Sequence, residues 1–178
     1  MIRKKNKNFL LAFLFSVIAI LLFTQANSYN GVFASTSASS MTLIEINSGR
    51  ILFSHNMHQR REMASTTKIV TAITVIENCK NLDETVTVPA QAVGVEGSSI
   101  YLSIGEKISV RDLLYGLMLR SGNDSAVALA VHTAGSLKDF CKKMNDLAKK
   151  VGANNSNFVN PHGLHHPDHY TTAYDLAL

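Results

Sequence analysis

The sequence predicts an α/β (α+β) chain, with its strands in the first half and helices dominating the second. Three observations carry this. Two apolar, partly alternating runs flank Asn47-Ser48-Gly49. Helical periodicity takes over at Ala64. Two cap-like openings, Ser109 to Asp112 and Ser136 to Asp139, each precede an apolar helical pattern.

Residues 1–34 read as a secretory signal. Arg3, Lys4, Lys5 and Lys7 precede the apolar run Phe9 to Phe23, and Ala34 follows Val32-Phe33 at a cleavage-like point. The run is about fifteen residues, short of the roughly 20 that a spanning helix needs. An uncleaved N-terminal anchor is the rival reading; the Ser/Thr/Ala stretch at 35–40, a short polar linker, favours cleavage. Of the 17 basic residues these four precede the run; removing residues 1–34 leaves 13 basic against 13 acidic groups. The remainder is neutral, which argues against nucleic acid or an anionic membrane surface as a partner. Cys79 and Cys141 could bridge in an exported chain, but each sits in or beside a helix among apolar neighbours, so they read as two separate thiols.

Met41 to Ile46 and Arg50 to Ser54 are expected to pair as a hairpin through the Asn-Ser-Gly turn. Ala64 to Asn78 forms a helix whose apolar residues, Ile69, Val70, Ala72, Ile73, Val75 and Ile76, cover most of its circumference, so it is expected to be buried. Thr85 to Val88 is a short strand, ended by Pro89. Residues 90–108 are loop and short strand. Ser109 opens a helix reaching Arg120, Ser121-Gly122-Asn123 forms a corner, and Asp124 to Thr133 is helical again. Ser136 opens a third helix, which ends at Gly152. Asn154 to His169 is a loop rich in Asn, Pro and His. Thr172 starts a last segment too short to be stable alone.

Ser65 and Lys68 lie three residues apart at a helix start, so their side chains share a face. A serine hydroxyl needs a base, and a lysine serves as one only when neutral. Burial lowers a lysine pKa, and N–H groups at a helix N-terminus disfavour a positive charge there. The same N–H groups offer part of an oxyanion hole. S-x-x-K alone also occurs as a capping serine with an exposed lysine; the apolar helix around it and the downstream Ser121-Gly122-Asn123 favour chemistry. Ser, Gly and Asn are ordinary turn residues too. In the chemical reading Ser121 relays a proton and Asn123 holds Lys68 or a substrate amide. His162, His165, His166 and His169, with Asp168, make a zinc site conceivable, but Pro161 and Pro167 break the segment and no metal-helix spacing is present. No phosphate-binding G-x-x-x-x-G-K occurs.

The two motifs together resemble those of the penicillin-recognising serine enzymes, whose set is S-x-x-K, S-x-N and K-T-G. Met63 to Val70 resembles the active-site segment of D-alanyl-D-alanine carboxypeptidases of the serine peptidase S11 type, and Leu119 to Ala126 resembles their second motif. Asn160 to Leu164 and His169 to Leu176 resemble their loop and following helix. The likeness spans roughly residues 41–178. It implies a β-lactamase/penicillin-binding transpeptidase-like fold, with a helical subdomain and an incomplete antiparallel sheet. It implies that Ser65 forms an acyl-ester, that Lys68 accepts the proton, and that Ser121 is the second-motif serine with Asn123 beside it at the substrate. The implied substrate is the D-Ala-D-Ala end of a peptidoglycan stem peptide, with β-lactams as covalent inhibitors. No cofactor or metal is implied, and the His loop becomes structural. The chain departs from the pattern in one respect: no Lys-Thr-Gly or Lys-Ser-Gly occurs. The expectation is therefore the front part of such a catalytic domain, without its C-terminal strands or membrane anchor, exported and weakly active or inactive by itself. A class A β-lactamase relative, a non-catalytic cell-wall-binding remnant and a metal-binding exported module are the competing readings.

Overall fold

The computed structural model describes residues 37–178; the expected signal segment, 1–34, and its rival reading as an anchor lie outside them. Residues 38–178 form one compact unit. No helix among the described residues is long and apolar enough to cross a membrane.

Strands β1 (Met41–Ile44) and β2 (Ile51–His55) pair antiparallel, with Leu43 opposite Phe53 and an irregularity before Ile44. The Glu45 carboxylate organises the expected turn. It accepts from the Asn47 N–H at 3.0 Å, the Ser48 N–H at 2.8 Å and the Ser48 hydroxyl. Those bonds, the Ser48 hydroxyl first, pull its pKa to about 2. Gly49, at φ 68°, supplies the left-handed residue that closes the turn. A second small sheet joins β3 (Thr85–Thr87) to β4 (Lys107–Ser109), also antiparallel.

Among the described residues, five α-helices follow the expected order: α1 (Thr67–Asn78), α2 (Val110–Leu119), α3 (Asn123–Ala134), α4 (Leu137–Lys150) and α5 (Ala173–Ala177). The capping residues read from the sequence are in place. Ser109, Ser136 and Thr172 accept from the backbone N–H groups of Asp112, Asp139 and Asp175, each at 3.0 Å. Gly135 closes α3 at φ 77°.

The centre of the molecule is α3, in which all of Asn123 to Ala130 is buried. Its alanines present little side-chain bulk, so α1, α2 and α4 pack closely around it. Leu113 and Leu117 of α2, Phe140 and Met144 of α4, Val75 of α1, and Phe158 complete the core.

One expectation needs correction. Helix α1 is not buried all round. Ala72 and Val75 face the core, but Ile69, Ile73 and Ile76 remain 43–52% exposed, the first two over a groove lined also by Leu147, Val151 and Leu178. Periodicity measures how much of a helix is apolar, not which part finds a neighbour. Helix α5, although a single turn, is held in place. The Asp175 carboxylate accepts from the Asn155 N–H and the Ser156 hydroxyl, both at 2.7 Å, and the Tyr174 N–H donates to the Met57 carbonyl. These tertiary bonds supply what helix propagation over one turn cannot. Cys79 and Cys141 are both free thiols, as expected.

Candidate active site

Ser65 lies in the 3-10 turn Ala64–Thr66, which runs directly into α1 and so carries Ser65 at the helix N-terminus. One helical turn on, Lys68 points back to it: Lys68 Nζ is 3.1 Å from Ser65 Oγ. Lys68 is only 3% exposed, and its one further hydrogen bond runs to the His162 carbonyl at 2.9 Å. Neither partner carries a formal negative charge. Burial therefore acts unopposed and pulls the lysine pKa below its ordinary value, towards the neutral amine.

Ser121 closes the group from the other side. Its hydroxyl donates to Ser65 Oγ at 3.0 Å, joining two residues that are 56 apart in sequence. The backbone is in the left-handed region on both sides of this contact, at Ala64 (φ 43°) and Ser121 (φ 55°). Non-glycine residues seldom adopt that conformation, and it is held where surrounding structure over-determines it. At Ser121 it turns the chain from α2 into α3 and brings the hydroxyl to Ser65. Ser65, Thr66, Lys68, Ile69, Leu117, Met118 and Ser121 line one open concavity.

Asn123 joins this group less directly. It is buried, its side-chain amide donates to the Glu96 carbonyl at 2.6 Å, and its Oδ1 has no protein partner. Lys68 is thus held by Ser65 and His162, while Asn123 ties the 96–98 loop to the start of α3; the Asn123 N–H also donates to the Ser98 carbonyl at 2.7 Å.

Two residues beyond the sequence motifs support the site. Asp124, in the first turn of α3, is 1% exposed. Burial raises its pKa, but four donors outweigh that and hold it low: the Ser99 hydroxyl at 2.6 Å and the N–H groups of Leu102, Ile100 and Ser125. A carboxylate in the first turn of a helix is a visible sequence signal, but its partners in the 99–102 loop are not. The second residue is His169. The Val159 N–H donates to its Nδ1 at 3.1 Å, which leaves Nε2 to donate to Thr67 Oγ1 at 2.8 Å. Burial, then the nearby His166, lowers its pKa to about 4, so the ring is neutral near pH 7.

The histidine loop accordingly acts as a brace on the start of α1. The Thr71 hydroxyl donates to the Pro161 carbonyl at 2.7 Å. Gly163, at φ 91°, approaches so closely that a Cβ there would sit 1.9 Å from the Ala64 carbonyl oxygen. His162 presents its carbonyl to Lys68, and its ring is neutral for the same reason as that of His169, with a pKa lowered to about 4 by burial and by the lysine charge. His165 turns outward to Glu62 and His166 towards Asp168. The loop histidines thus address different partners rather than one common point.

Lys68 and Ser121 thus both hydrogen-bond the Ser65 hydroxyl, which sets a buried amine and a second hydroxyl on one serine oxygen. The chain belongs to the S11 peptidase family: the family model described as D-alanyl-D-alanine carboxypeptidase matches residues 25–178. A D-alanyl-D-alanine carboxypeptidase of Bacillus subtilis (strain 168), DacF, is 39% identical over 145 residues, covering 79% of this chain and 37% of that protein. Among solved structures, the D-alanyl-D-alanine carboxypeptidase DacD of Francisella tularensis superposes with a TM-score of 0.77 at 37% identity, over 80% of this chain and 36% of its own. Penicillin binding protein 5 of Haemophilus influenzae gives 0.75 at 35% identity, over 80% and 44%. The described residues therefore have the penicillin-binding-protein fold, and the chain spans less than half the length of these relatives.

Proposed function

We propose that this chain carries the nucleophile-bearing part of an exported serine-type D-Ala-D-Ala carboxypeptidase that trims peptidoglycan stem peptides. The observation that supports this most is the placement of buried Lys68 Nζ 3.1 Å from Ser65 Oγ. The neutral amine takes the Ser65 proton as Oγ attacks the carbonyl carbon of the penultimate D-Ala. The tetrahedral oxyanion forms near the N-terminus of α1, whose dipole favours negative charge. As the C–N bond breaks, the departing D-alanine amine takes a proton through Ser121 Oγ, which already touches Ser65 Oγ at 3.0 Å. The Lys68 amine is neutral again once its first proton has gone to the leaving amine by way of Ser121; water then attacks the ester carbonyl, Lys68 accepts the water proton, and that proton returns to Ser65 Oγ as the ester C–O bond breaks. Asn123, whose Oδ1 lacks a protein partner, is assigned to the substrate amide. β-Lactams would acylate Ser65 by the same first step.

Labelling by a fluorescent penicillin tests this. The adduct is expected on the peptide containing Ser65 and is expected to vanish in Ser65→Ala. In Lys68→Ala its rate should fall by about 10²–10⁴-fold, the usual contribution of a general base. The sequence reading expects slow turnover after acylation. Rapid penicillin hydrolysis would instead indicate a β-lactamase, and a folded chain that never forms the adduct would indicate a non-catalytic cell-wall-binding remnant.

A further inference from the structure

We propose that Cys79, Glu84 and His132 form a zinc-binding site at the opposite end of α1 from Ser65. The three residues come from separate segments: the residue after the last turn of α1, the residue before β3, and the last turn of α3. Cys79 Sγ lies 2.9 Å from Glu84 Oε1, His132 Nε2 lies 2.9 Å from the same oxygen, and all three ligand atoms fall within 4.8 Å of one another. At ~1.5 Å per residue, the twelve residues of α1 put this cluster about 18 Å from the Ser65 end.

The donor set selects the metal. Thiolate, imidazole and carboxylate are the three side-chain donors zinc uses, and three protein ligands leave a fourth position for water. Calcium and magnesium require oxygen ligands and are disfavoured by the thiol and the imidazole. Zinc bonds of ~2.0–2.3 Å in a tetrahedron place ligand atoms roughly 3.3–3.7 Å apart. The two 2.9 Å contacts would therefore need to open by only several tenths of an ångström. The backbone beneath the ligands is fixed. The Cys79 N–H donates to the Val75 carbonyl at 2.8 Å, and the Glu84 carbonyl accepts from the Val110 N–H at 3.1 Å. The neighbouring acid, Asp83, is occupied by Arg111 at 2.7 Å, and Glu84 is in hydrogen-bond contact with His132. Cys79 is partly accessible, and the His132 side chain is 26% exposed, so a cation can reach both. Binding replaces the thiol proton with the metal and releases that proton to solvent. The ion would tie the end of α1 to β3 and α3, and would stabilise the folded chain by mass action.

The test uses the 178-residue chain, chelator-treated and kept under a phosphine reductant, titrated with ZnCl2 and separately with CoCl2. One zinc per chain, a rise in melting temperature and a thiolate-to-cobalt charge-transfer band are expected. Cys79→Ser should abolish the band. His132→Ala and Glu84→Gln should each weaken zinc binding by at least the roughly 10–100-fold that loss of an outer partner alone can cause. His165→Ala/His166→Ala, in the exposed loop, should change nothing. If Cys79→Ser fails to fold, His132→Ala decides. The proposal is overturned if no thiolate band appears, or if zinc affinity is unchanged in folded His132→Ala.

Discussion

At residue 68 the chain places an amine in a position that packing alone would fill with an aliphatic side chain. Lys68 loses hydration and gains two neutral acceptors, an exchange that suits the uncharged form. Lys68→Met should therefore raise the melting temperature, with a gain on the order of 1 kcal/mol, while abolishing penicillin labelling. A drop in melting temperature would mean that the amine is a net structural contributor. Asp124 presents the reverse case. Its carboxylate is the acceptor for the N–H groups of Ile100, Leu102 and Ser125, and Asp124→Ala strands them in a buried setting. A loss of about 3 kcal/mol in urea unfolding is expected. Gly163→Ala meets both a positive φ and a backbone oxygen at 1.9 Å. It should destabilise by about 2 kcal/mol or more and slow labelling, because displacing the 160–164 loop carries the His162 carbonyl away from Lys68. Unchanged labelling in a folded Gly163→Ala protein would show that the loop does not set the lysine position.

At the scale of elements, caps and turns were the most legible features, because their chemistry is local. Ser136 and Asp139 are three residues apart and satisfy each other whatever surrounds them. Ser136→Ala should cost about 1 kcal/mol with labelling unaffected, since α4 does not border the Ser65 concavity. Ser65 and Lys68 were legible for the same reason, being one helical turn apart. The partnership of Ser121 with Ser65 spans 56 residues; turn chemistry could only suggest it, and resemblance to a family made it specific. The supporting contact from His169 to Thr67, across 102 residues, was not reachable at all, because spacing carries no information at that range. The exposure of α1 was misjudged because an apolar helix looks the same in sequence whether or not every face is covered. The alanine-rich α3, with little amphipathic contrast, gave no sign that it would be the most buried helix.

The whole molecule carries an acid sensitivity that its neutral balance of charges after residue 34 would not suggest. The folded pKa values of His162 and His169 are lowered from 6.5 to about 4. The unfolded chain therefore binds protons first as pH falls. Stability is complete above about pH 6.5 and is lost progressively towards pH 4. Thermal melts across that window should show a falling midpoint, and His169→Gln, which keeps a polar partner for Thr67, should flatten the slope. The carboxylate of Asp124, held low in the folded state, extends the loss to still lower pH.

The groups around Ser65 also bear on the order of events during folding. Helix α1 closes through contacts four residues apart, whereas its lysine is desolvated only after residue 162 has docked, 94 positions downstream. Long-range closure is the slow step in assembling a domain. Freshly diluted chains should thus regain helical circular dichroism before they regain the capacity to trap penicillin, with the interval set by the arrival of the 160–169 segment.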